Sequence, residues 1–233
     1  MNLKLLGATA AVALGLTASS AFAAEIVSIT AIAGNINDGI PLITDFNSTG
    51  GTGADNKGGT IDDLNPAFTF TQDTPSLAYT RDGHAGLDSG VSAPPPEDNG
   101  GPVGSFYETV QGGGSATLTS LVGISEFSFY MGSPDDFNHV KLTFSGAGGS
   151  QTLDGTAIWG GTPPGNGDQS EGFTVIYKFS PDTVNTINFT SDNNAFEFDT
   201  LRGGVPEPAS WALMIMGFGA AGAMMRRRKA VMA

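Results

Sequence analysis

The sequence predicts an all-β fold, an antiparallel two-sheet sandwich of the jelly-roll type, flanked by an apolar segment at each end. Three observations predict this fold. Short runs that alternate apolar with polar residues recur between Glu25 and Pro206, separated by turn residues. Glycine makes up 34 of the 233 residues, and charged helix formers are scarce. Between the same limits, no stretch has the 3.6-residue apolar period of an amphipathic helix.

The alternating runs account for the predicted strands. Along the chain they are residues 26–33, 67–71, 105–110, 115–122, 126–131, 140–144, 173–179, 187–189 and 196–198. Alternate residues such as Phe127 and Phe129 share one face, and strands with one apolar and one polar face belong to antiparallel sheets. Gly112–Gly114 predicts a hairpin turn between the third and fourth runs. Glu197 and Asp199 are expected to point away from the core.

Three other segments read as connections. Residues 47–63 are rich in Gly, Thr, Asp and Asn, which favours a loop. Residues 82–102 include Pro94–Pro96 and are too long for an ordinary connection, so they are interpreted as disordered or as a functional rim. Arg202–Val205 predicts a short linker to the carboxyl-terminal segment.

The amino-terminal residues 1–23 have the layout of a cleavable secretory signal. Lys4 provides a basic start, and Leu5–Leu16 form an apolar run. Ala21 and Ala23 give the small-x-small pattern that signal peptidase requires, because its pocket accepts only small side chains there. Cleavage is expected after Ala23, so that the mature chain begins at Ala24.

The carboxyl-terminal residues combine a rigid polar element, an apolar stretch and a basic cluster. Pro206-Glu207-Pro208 precedes an apolar stretch of 15 residues from Trp211 to Met225. Counting from Ala209, with snorkelling arginines, this stretch predicts a short transmembrane helix. The cluster Arg226, Arg227, Arg228 and Lys229 is expected to stay cytoplasmic, which places the preceding domain outside.

This tail resembles the PEP-CTERM sorting signal in its PEPxxWA variant. The matching residues are Pro206, Glu207, Pro208, Trp211 and Ala212, followed by the apolar stretch and by Arg226, Arg227 and Arg228. The resemblance implies recognition by an exosortase, a membrane transpeptidase-like enzyme that cleaves near the Pro-Glu-Pro element. It also implies a Gram-negative host that makes exopolysaccharide or biofilm matrix. The protein would be anchored in the inner membrane transiently, and would reach the cell surface or matrix after tail processing.

These segments divide the chain into a signal peptide at 1–23, a β-sandwich ectodomain at 24–203, a sorting tail at 204–229 and trailing residues 230–233. The middle also looks like the jelly-roll ectodomains often found ahead of this tail. The supporting residues are Phe127–Asn138 and the closing Phe196–Asp199. Most such ectodomains have no assigned activity, so this second resemblance implies a fold more than a function.

Charge and cysteine content exclude several function classes. The whole chain has a formal net charge of −13, and the middle keeps five basic against 22 acidic residues, or −17. Such a surface repels nucleic acid and anionic lipid. The sequence has no cysteine, which excludes disulfides, thiolate catalysis and cysteine-ligated metals.

Catalytic patterns are weak, and we expect no enzyme. The sequence has no Gly-x-Ser-x-Gly elbow, and its two histidines, His84 and His139, read as surface residues. Glycoside hydrolysis needs two carboxylates at a set separation, which sequence does not give. The adjacent pairs Asp62-Asp63, Glu97-Asp98 and Asp135-Asp136 are candidates by proximity alone.

Calcium and sugars are the ligands that the sequence favours. No cofactor is expected with certainty, but Asp135, Asp136 and Asn138 offer the oxygen ligands that a structural calcium takes. Trp159 beside Gly160-Gly161 is a candidate for stacking on a sugar ring, against the more frequent fate of core packing. Tyr107 and Tyr130 are weaker candidates of the same kind.

The functional expectation is therefore a non-catalytic, exosortase-processed surface or matrix protein associated with exopolysaccharide. Two alternatives stay open. One is a carbohydrate-binding module for exopolysaccharide, and the other is a secreted glycan-active hydrolase. The expected partners are signal peptidase and exosortase, with no nucleic acid.

Overall fold

The computed structural model describes residues 24–47, 61–73, 78–82, 92–96, 106–162, 165–180, 182–205 and 215–219. The described residues form twelve strands and a 3-10 helix at Gly155–Trp159. The strands are β1 Glu25–Ala33, β2 Leu42–Thr44, β3 Phe68–Gln72, β4 Ala78–Asp82, β5 Phe106–Val110, β6 Gly114–Ile124, β7 Glu126–Gly132, β8 Lys141–Gly146, β9 Gly149–Asp154, β10 Gly172–Ser180, β11 Val184–Ser191 and β12 Phe196–Gly204.

The strands form two sheets, and within each sheet all the paired strands are antiparallel. The larger sheet has seven strands in the order β1-β10-β7-β12-β5-β4, with β2 pairing β12 beside this path. The smaller sheet has five strands in the order β3-β6-β11-β8-β9. The predicted all-β, antiparallel two-sheet architecture is confirmed.

The core lies between the sheets and is rich in aromatic rings. In β7, Phe127, Phe129 and Met131 face inward and are at most 2% exposed, as their alternation predicts. Phe189 of β11 stacks on Phe198 of β12 with ring centroids 4.1 Å apart, which joins the two sheets. Without disulfides, the stability of the sandwich depends on this burial.

The predicted hairpin at Gly112–Gly114 is wrong. β5 belongs to the larger sheet, where it pairs β12 and β4, whereas β6 pairs β3 and β11 in the smaller sheet. The turn therefore arches from one sheet to the other. Gly113 adopts the left-handed backbone conformation that this turn needs, with φ 83°. The N–H of Gly114 donates to the carbonyl of Gln111 at 2.8 Å. Glycine spacing is the same for an arch and a hairpin.

The predicted linker at Arg202–Val205 is also wrong, because β12 continues to Gly204. Arg202, Gly203 and Gly204 pair with Ser128, Phe127 and Glu126 of β7. An irregularity between Asp199 and Arg202, where Thr200 has φ 49°, shifts the pairing register with β7 within the strand.

The outer face of the larger sheet is covered rather than solvated. Glu197 and Asp199 point away from the core, as predicted, but are only 5% and 2% exposed. Residues 92–96 lie over this face, and the N–H of Ala93 donates to Glu197 Oε1 at 2.9 Å. Residues 35–40 cover a second part, where Asn35 Nδ2 donates to Thr200 Oγ1 and Ser128 Oγ donates to Asp38 Oδ2. Within 82–102, residues 92–96 are thus a packed cover.

Most of both terminal segments lies outside the described residues. This applies to the predicted signal peptide, the Pro-Glu-Pro element, Trp211, Ala212 and the basic cluster. Residues 215–219 are helical. Among the described residues, no helix has the length and apolar character needed to cross a membrane.

Candidate functional site

One end of the sandwich gathers the loops that carry most of its clustered polar side chains. β1 and β7 end there and β10 begins there, since Ala33 pairs Phe173 and Gly132 pairs Gly172. β11 ends at the same place, next to the start of β8. We call this the loop end. It carries two depressions, an apolar cleft and an acidic pocket.

The apolar cleft has a volume of about 470 Å³, within the range of small-molecule sites. It is lined by Ala31, Ala33, Gly34, Pro96, Tyr130, Thr162, Ser170, Glu171, Gly172 and Phe173. Small residues form much of its wall. Gly172 has no room for a side chain, because a Cβ there would lie 2.8 Å from Pro96 Cδ and would overlap the Tyr130 hydroxyl.

Glu171 supplies the carboxylate of the apolar cleft. Its N–H donates to the carbonyl of Asp168 at 3.1 Å, and its carbonyl accepts from the N–H of Ser133 at 3.0 Å. The backbone is thus fixed on both sides. Its Oε2 atom is buried and has no hydrogen-bond donor among the described residues. A buried carboxylate oxygen without a donor is costly, so a ligand that donates to it would gain from this position.

The three aromatic residues predicted to stack on sugars are buried, which corrects that expectation. Trp159 is 2% exposed and packs against Phe173 with ring centroids 5.8 Å apart. Tyr107 is fully buried, and its hydroxyl lies 2.9 Å from Ser92 Oγ. Tyr130 is 1% exposed and reaches the apolar cleft only at its wall. The 3-10 helix turns Trp159 inward, so the glycines beside it do not expose the indole.

The acidic pocket, about 340 Å³ in volume, is lined by Asp136, His139, Lys141, Asp154, Gly155, Thr156 and Asp192. Lys141 Nζ lies 2.8 Å from Asp192 Oδ2, and both side chains are about half exposed. The hydrogen bond from Lys141 holds the pKa of Asp192 below its usual range. His139, predicted to be a surface residue, is exposed at the rim of this pocket. The other histidine of the chain, His84, lies outside the described residues.

The residues predicted to bind calcium organise the loop between β7 and β8. Both oxygens of Asp135 accept from Asn138, Oδ1 from the backbone N–H at 2.9 Å and Oδ2 from Nδ2 at 3.0 Å. Burial raises the pKa of Asp135. Asp136 lies apart, on the acidic pocket. Nowhere among the described residues do three or more His, Asp or Glu side chains converge as a metal site. Calcium at Asp135, Asp136 and Asn138 stays a prediction.

The adjacent carboxylate pairs have different surroundings where they are described. Asp63 accepts from the hydroxyl of Thr44 at 2.7 Å and from the N–H of Asp45 at 3.0 Å, which makes it part of a loop. Asp135 and Asp136 are divided between the loop and the acidic pocket. Glu97 and Asp98 lie outside the described residues.

Glu197 has the carboxyl with the largest pKa shift in the part of the domain that the structure describes. Burial beneath residues 92–96 raises its pKa to about 8, with a further contribution from the charge of Asp135. It is therefore mainly protonated at neutral pH. Ala93 covers the carboxyl and donates to it, and Glu197 is only 5% exposed.

The sequence did not single out Glu171 or the apolar cleft. The cleft is built from the ends of three strands and from the 92–96 cover, which are far apart along the chain. Glu171 follows an ordinary turn, in which Asp168 Oδ1 accepts from the N–H and hydroxyl of Ser170. Nothing in its local spacing marks a ligand site.

Comparison with known proteins identifies one segment. Residues 204–229 match the PEP-CTERM protein-sorting motif. A comparison with curated proteins gave no match. Similar solved structures include the K2 cleaved adhesin domain of Lys-gingipain, at 16% identity and a TM-score of 0.29, covering 59% of this chain and 100% of that one. TmCBM61 in complex with β-1,4-galactotriose is 13% identical with a TM-score of 0.24, covering 60% and 90%.

With TM-scores below 0.5, neither structural similarity carries an argument about fold or function. The sorting motif is the informative match. It begins at Gly204, the last residue of β12. The tail predicted from Pro206, Glu207 and Pro208 is thereby confirmed as a family feature. Residues 204–229 of this chain are therefore a PEP-CTERM protein-sorting motif, which follows directly on the last strand of a β-sandwich.

Proposed function

We propose that this chain is a non-catalytic cell-surface or extracellular-matrix protein, delivered by its tail into an exopolysaccharide-rich matrix or biofilm. Signal peptidase would remove residues 1–23, and the tail would hold the protein in the inner membrane until exosortase cleaves near Pro206-Glu207-Pro208. The delivered part is the sandwich, for which we propose the jelly-roll type.

One observation carries this proposal: the sorting motif continues directly from a central strand of the sandwich. Gly204 is both the end of β12 and the start of the matched segment, and only Val205 separates it from Pro206. Because the sorting signal is joined so closely to the fold, we take the sandwich itself to be the domain that is delivered. Its acidic, cysteine-free composition fits a protein that remains dissolved outside the cell.

The test is the processing of the full chain in a Gram-negative host that has an exosortase. Intact-mass spectrometry of the exported protein should show an amino terminus at Ala24 and loss of the tail near Pro206. A Glu207→Gln variant should keep its tail and stay in the membrane fraction, since the recognition element loses its charge.

Asp168→Asn is the matched control, because it removes one exposed carboxylate at the loop end, far from the tail. It should be processed like the parent chain. Full-length protein in the cytosol, or normal tail removal in the Glu207→Gln variant, would contradict the proposal.

Glycan binding in the apolar cleft is a second candidate function, favoured by one specific feature. The buried Oε2 of Glu171 lacks a donor among the described residues, and it lies in a cleft of small apolar residues. A sugar presents both chemistries needed here, an apolar ring face and hydroxyl donors. Because Trp159, Tyr107 and Tyr130 are buried, such binding would depend on Glu171 and not on aromatic stacking.

Glycan-array binding and titration calorimetry test this candidate. Glu171→Gln should weaken binding about tenfold or more, as expected for loss of a charge-assisted hydrogen bond. Glu25→Gln removes an exposed carboxylate at the start of β1, at the opposite end of the sandwich, and should bind like the parent. Equal affinities of the two variants would contradict the assignment to the cleft. Release of reducing sugar would instead favour the hydrolase alternative.

A further inference from the structure

The end of the sandwich opposite the loop end carries apolar side chains that the fold pushes outward. Leu121 and Val122 of β6 are 69% and 60% exposed, and Val27 of β1 is 57% exposed. Val205, directly after β12, is 39% exposed. We call these four residues the apolar base. Single exposed apolar residues are ordinary, but a group at one end of a domain calls for a cause.

Irregular pairing produces this exposure. β6 pairs Thr119 with Thr186 and then Ile124 with Val184, so residues 120–123 stand opposite residue 185 alone. The extra residues lose their partners in β11, although the N–H of Leu121 still donates to the carbonyl of Ala67 at 3.0 Å, and the side chains of Leu121 and Val122 are turned to solvent. The register of β1 shifts between Ile26 and Ser28, which displaces Val27 in the same way.

Hydrogen bonds tie the apolar base to the point where the tail leaves. Ser125, in the turn after β6, donates from its N–H at 2.8 Å and from its hydroxyl at 3.1 Å to the carbonyl of Gly204. The carbonyl of Ser125 accepts from the N–H of Phe179 at 2.9 Å, and Phe179 pairs with Ile26 beside Val27. The base and the exit of the sorting motif therefore share one end of the domain.

The short segment between β12 and the apolar stretch of the tail limits how far the apolar base can lie from the membrane. Six residues lie between Gly204 and Trp211, where the apolar stretch of the tail begins, so the two are seven residue steps apart. Even fully extended, they reach about 25 Å, so an anchored tail keeps the base close to the bilayer surface. The net charge of −17 on the middle of the chain would otherwise repel anionic headgroups.

We infer that, while the tail is anchored, the apolar base inserts into the interfacial region of the membrane, with Leu121 and Val122 as its deepest side chains. This inference rests on the membrane anchoring within the proposed function. The partner is the lipid surface itself. Two or three aliphatic side chains are too few to hold an acidic domain on a membrane alone, so the contact ends when the tail is removed.

The absence of cysteine from the sequence allows a site-specific test. Leu121→Cys and Val122→Cys are labelled with an environment-sensitive fluorophore in the otherwise complete chain. Asp168→Cys, exposed at the loop end, is the control. Each protein is reconstituted into vesicles of phosphatidylethanolamine and phosphatidylglycerol, with or without lipids that carry a quencher near the headgroup.

We expect a shift to shorter emission wavelength and quenching by the modified lipid at 121 and 122, with neither effect at 168. Emission at 121 and 122 equal to that at 168 would overturn the inference. A shifted emission without lipid quenching would also overturn it, since a second copy or the chain's own tail would then cover the base.

Flotation of the same vesicles separates this inference from the proposed function. Protein that floats with the vesicles but keeps a solvent-exposed probe at 121 refutes only the insertion of the base. Protein that does not float refutes anchoring by the tail, and with it both proposals. A Leu121→Ser, Val122→Ser chain should float normally, and circular dichroism should show an unchanged fold.

Discussion

The carboxyl of Glu197 in β12 accepts a hydrogen bond of 2.9 Å from the backbone N–H of Ala93, which lies 104 residues earlier in the chain. This contact fixes the cover formed by residues 92–96 on the outer face of the larger sheet. It also makes the stability of the domain depend on pH.

Burial raises the pKa of Glu197 from 4.5 to about 8. The folded state therefore holds a proton that the unfolded state releases between these values. Its stabilising effect is complete below pH 4.5 and is lost as the pH rises towards 8. Glu197→Gln cannot ionise, so thermal unfolding should show a smaller fall in Tm between pH 5 and pH 8. The raised pKa of Asp135 has an effect of the same sign, which begins above its ordinary pKa of 3.8.

In this comparison, the Gln variant should match the parent near pH 5 and exceed it near pH 8. Parallel Tm profiles for the two proteins would show that Glu197 is ionised in the folded state at neutral pH.

Gly203 and Gly204 are adjacent in β12 but differ in the space above them. A Cβ at Gly203 would lie 2.7 Å from Ile43 Cδ1 and 3.2 Å from Phe68 Cζ, both in the packed core. At Gly204 the nearest atom would be Glu126 Cβ at an ordinary 3.4 Å. Gly203→Ala should therefore cost about 1–3 kcal/mol of unfolding free energy.

Urea unfolding followed by near-ultraviolet circular dichroism measures that cost. Gly204→Ala is the control and should be close to neutral. Equal destabilisation of the two variants would mean that backbone conformation, and not overpacking, sets the effect.

Phe198 links the sheets through its stacking on Phe189 and is fully buried. Phe198→Ala should leave a cavity and cost about 3–5 kcal/mol. Phe137 is 72% exposed, so Phe137→Ala should change the unfolding free energy little. If denaturant midpoints of the two variants coincide, the core is not arranged around this ring pair.

The ion pair of Lys141 with Asp192 is short but about half exposed. Exposed ion pairs contribute little to stability, and salt screens them. Lys141→Met should therefore lower Tm slightly at low salt and not at high salt. A loss that persists at high salt would indicate a role for the Lys141 stem in packing, which Asp192→Asn would not reproduce.

The strands that alternation predicts are those that enclose the core. Phe127, Phe129 and Met131 share a face in the sequence and in the structure, because a period of two determines which side chains meet the opposite sheet. The alternation does not say what covers the other face. Glu197 and Asp199 have the same pattern whether water or residues 92–96 lie above them, and only the tertiary fold distinguishes the two cases.

The candidate site was predicted less well, for a related reason. Trp159 has glycine neighbours that suggest exposure, yet the 3-10 helix and Phe173 enclose it. Glu171 is a candidate only because Tyr130 and Pro96, from distant parts of the chain, line the same cleft. The sorting tail, in contrast, is a contiguous signal that a short sequence specifies completely.

The direct continuation of β12 into the tail has a mechanical consequence. A tail anchored as proposed would transmit tension to a strand that is flanked by β7, β5 and β2. Its ladder of hydrogen bonds is then loaded in shear and must yield together, whereas an edge strand could be peeled away one bond at a time. The tail is therefore joined to a strand that should resist mechanical unfolding better than an edge strand would.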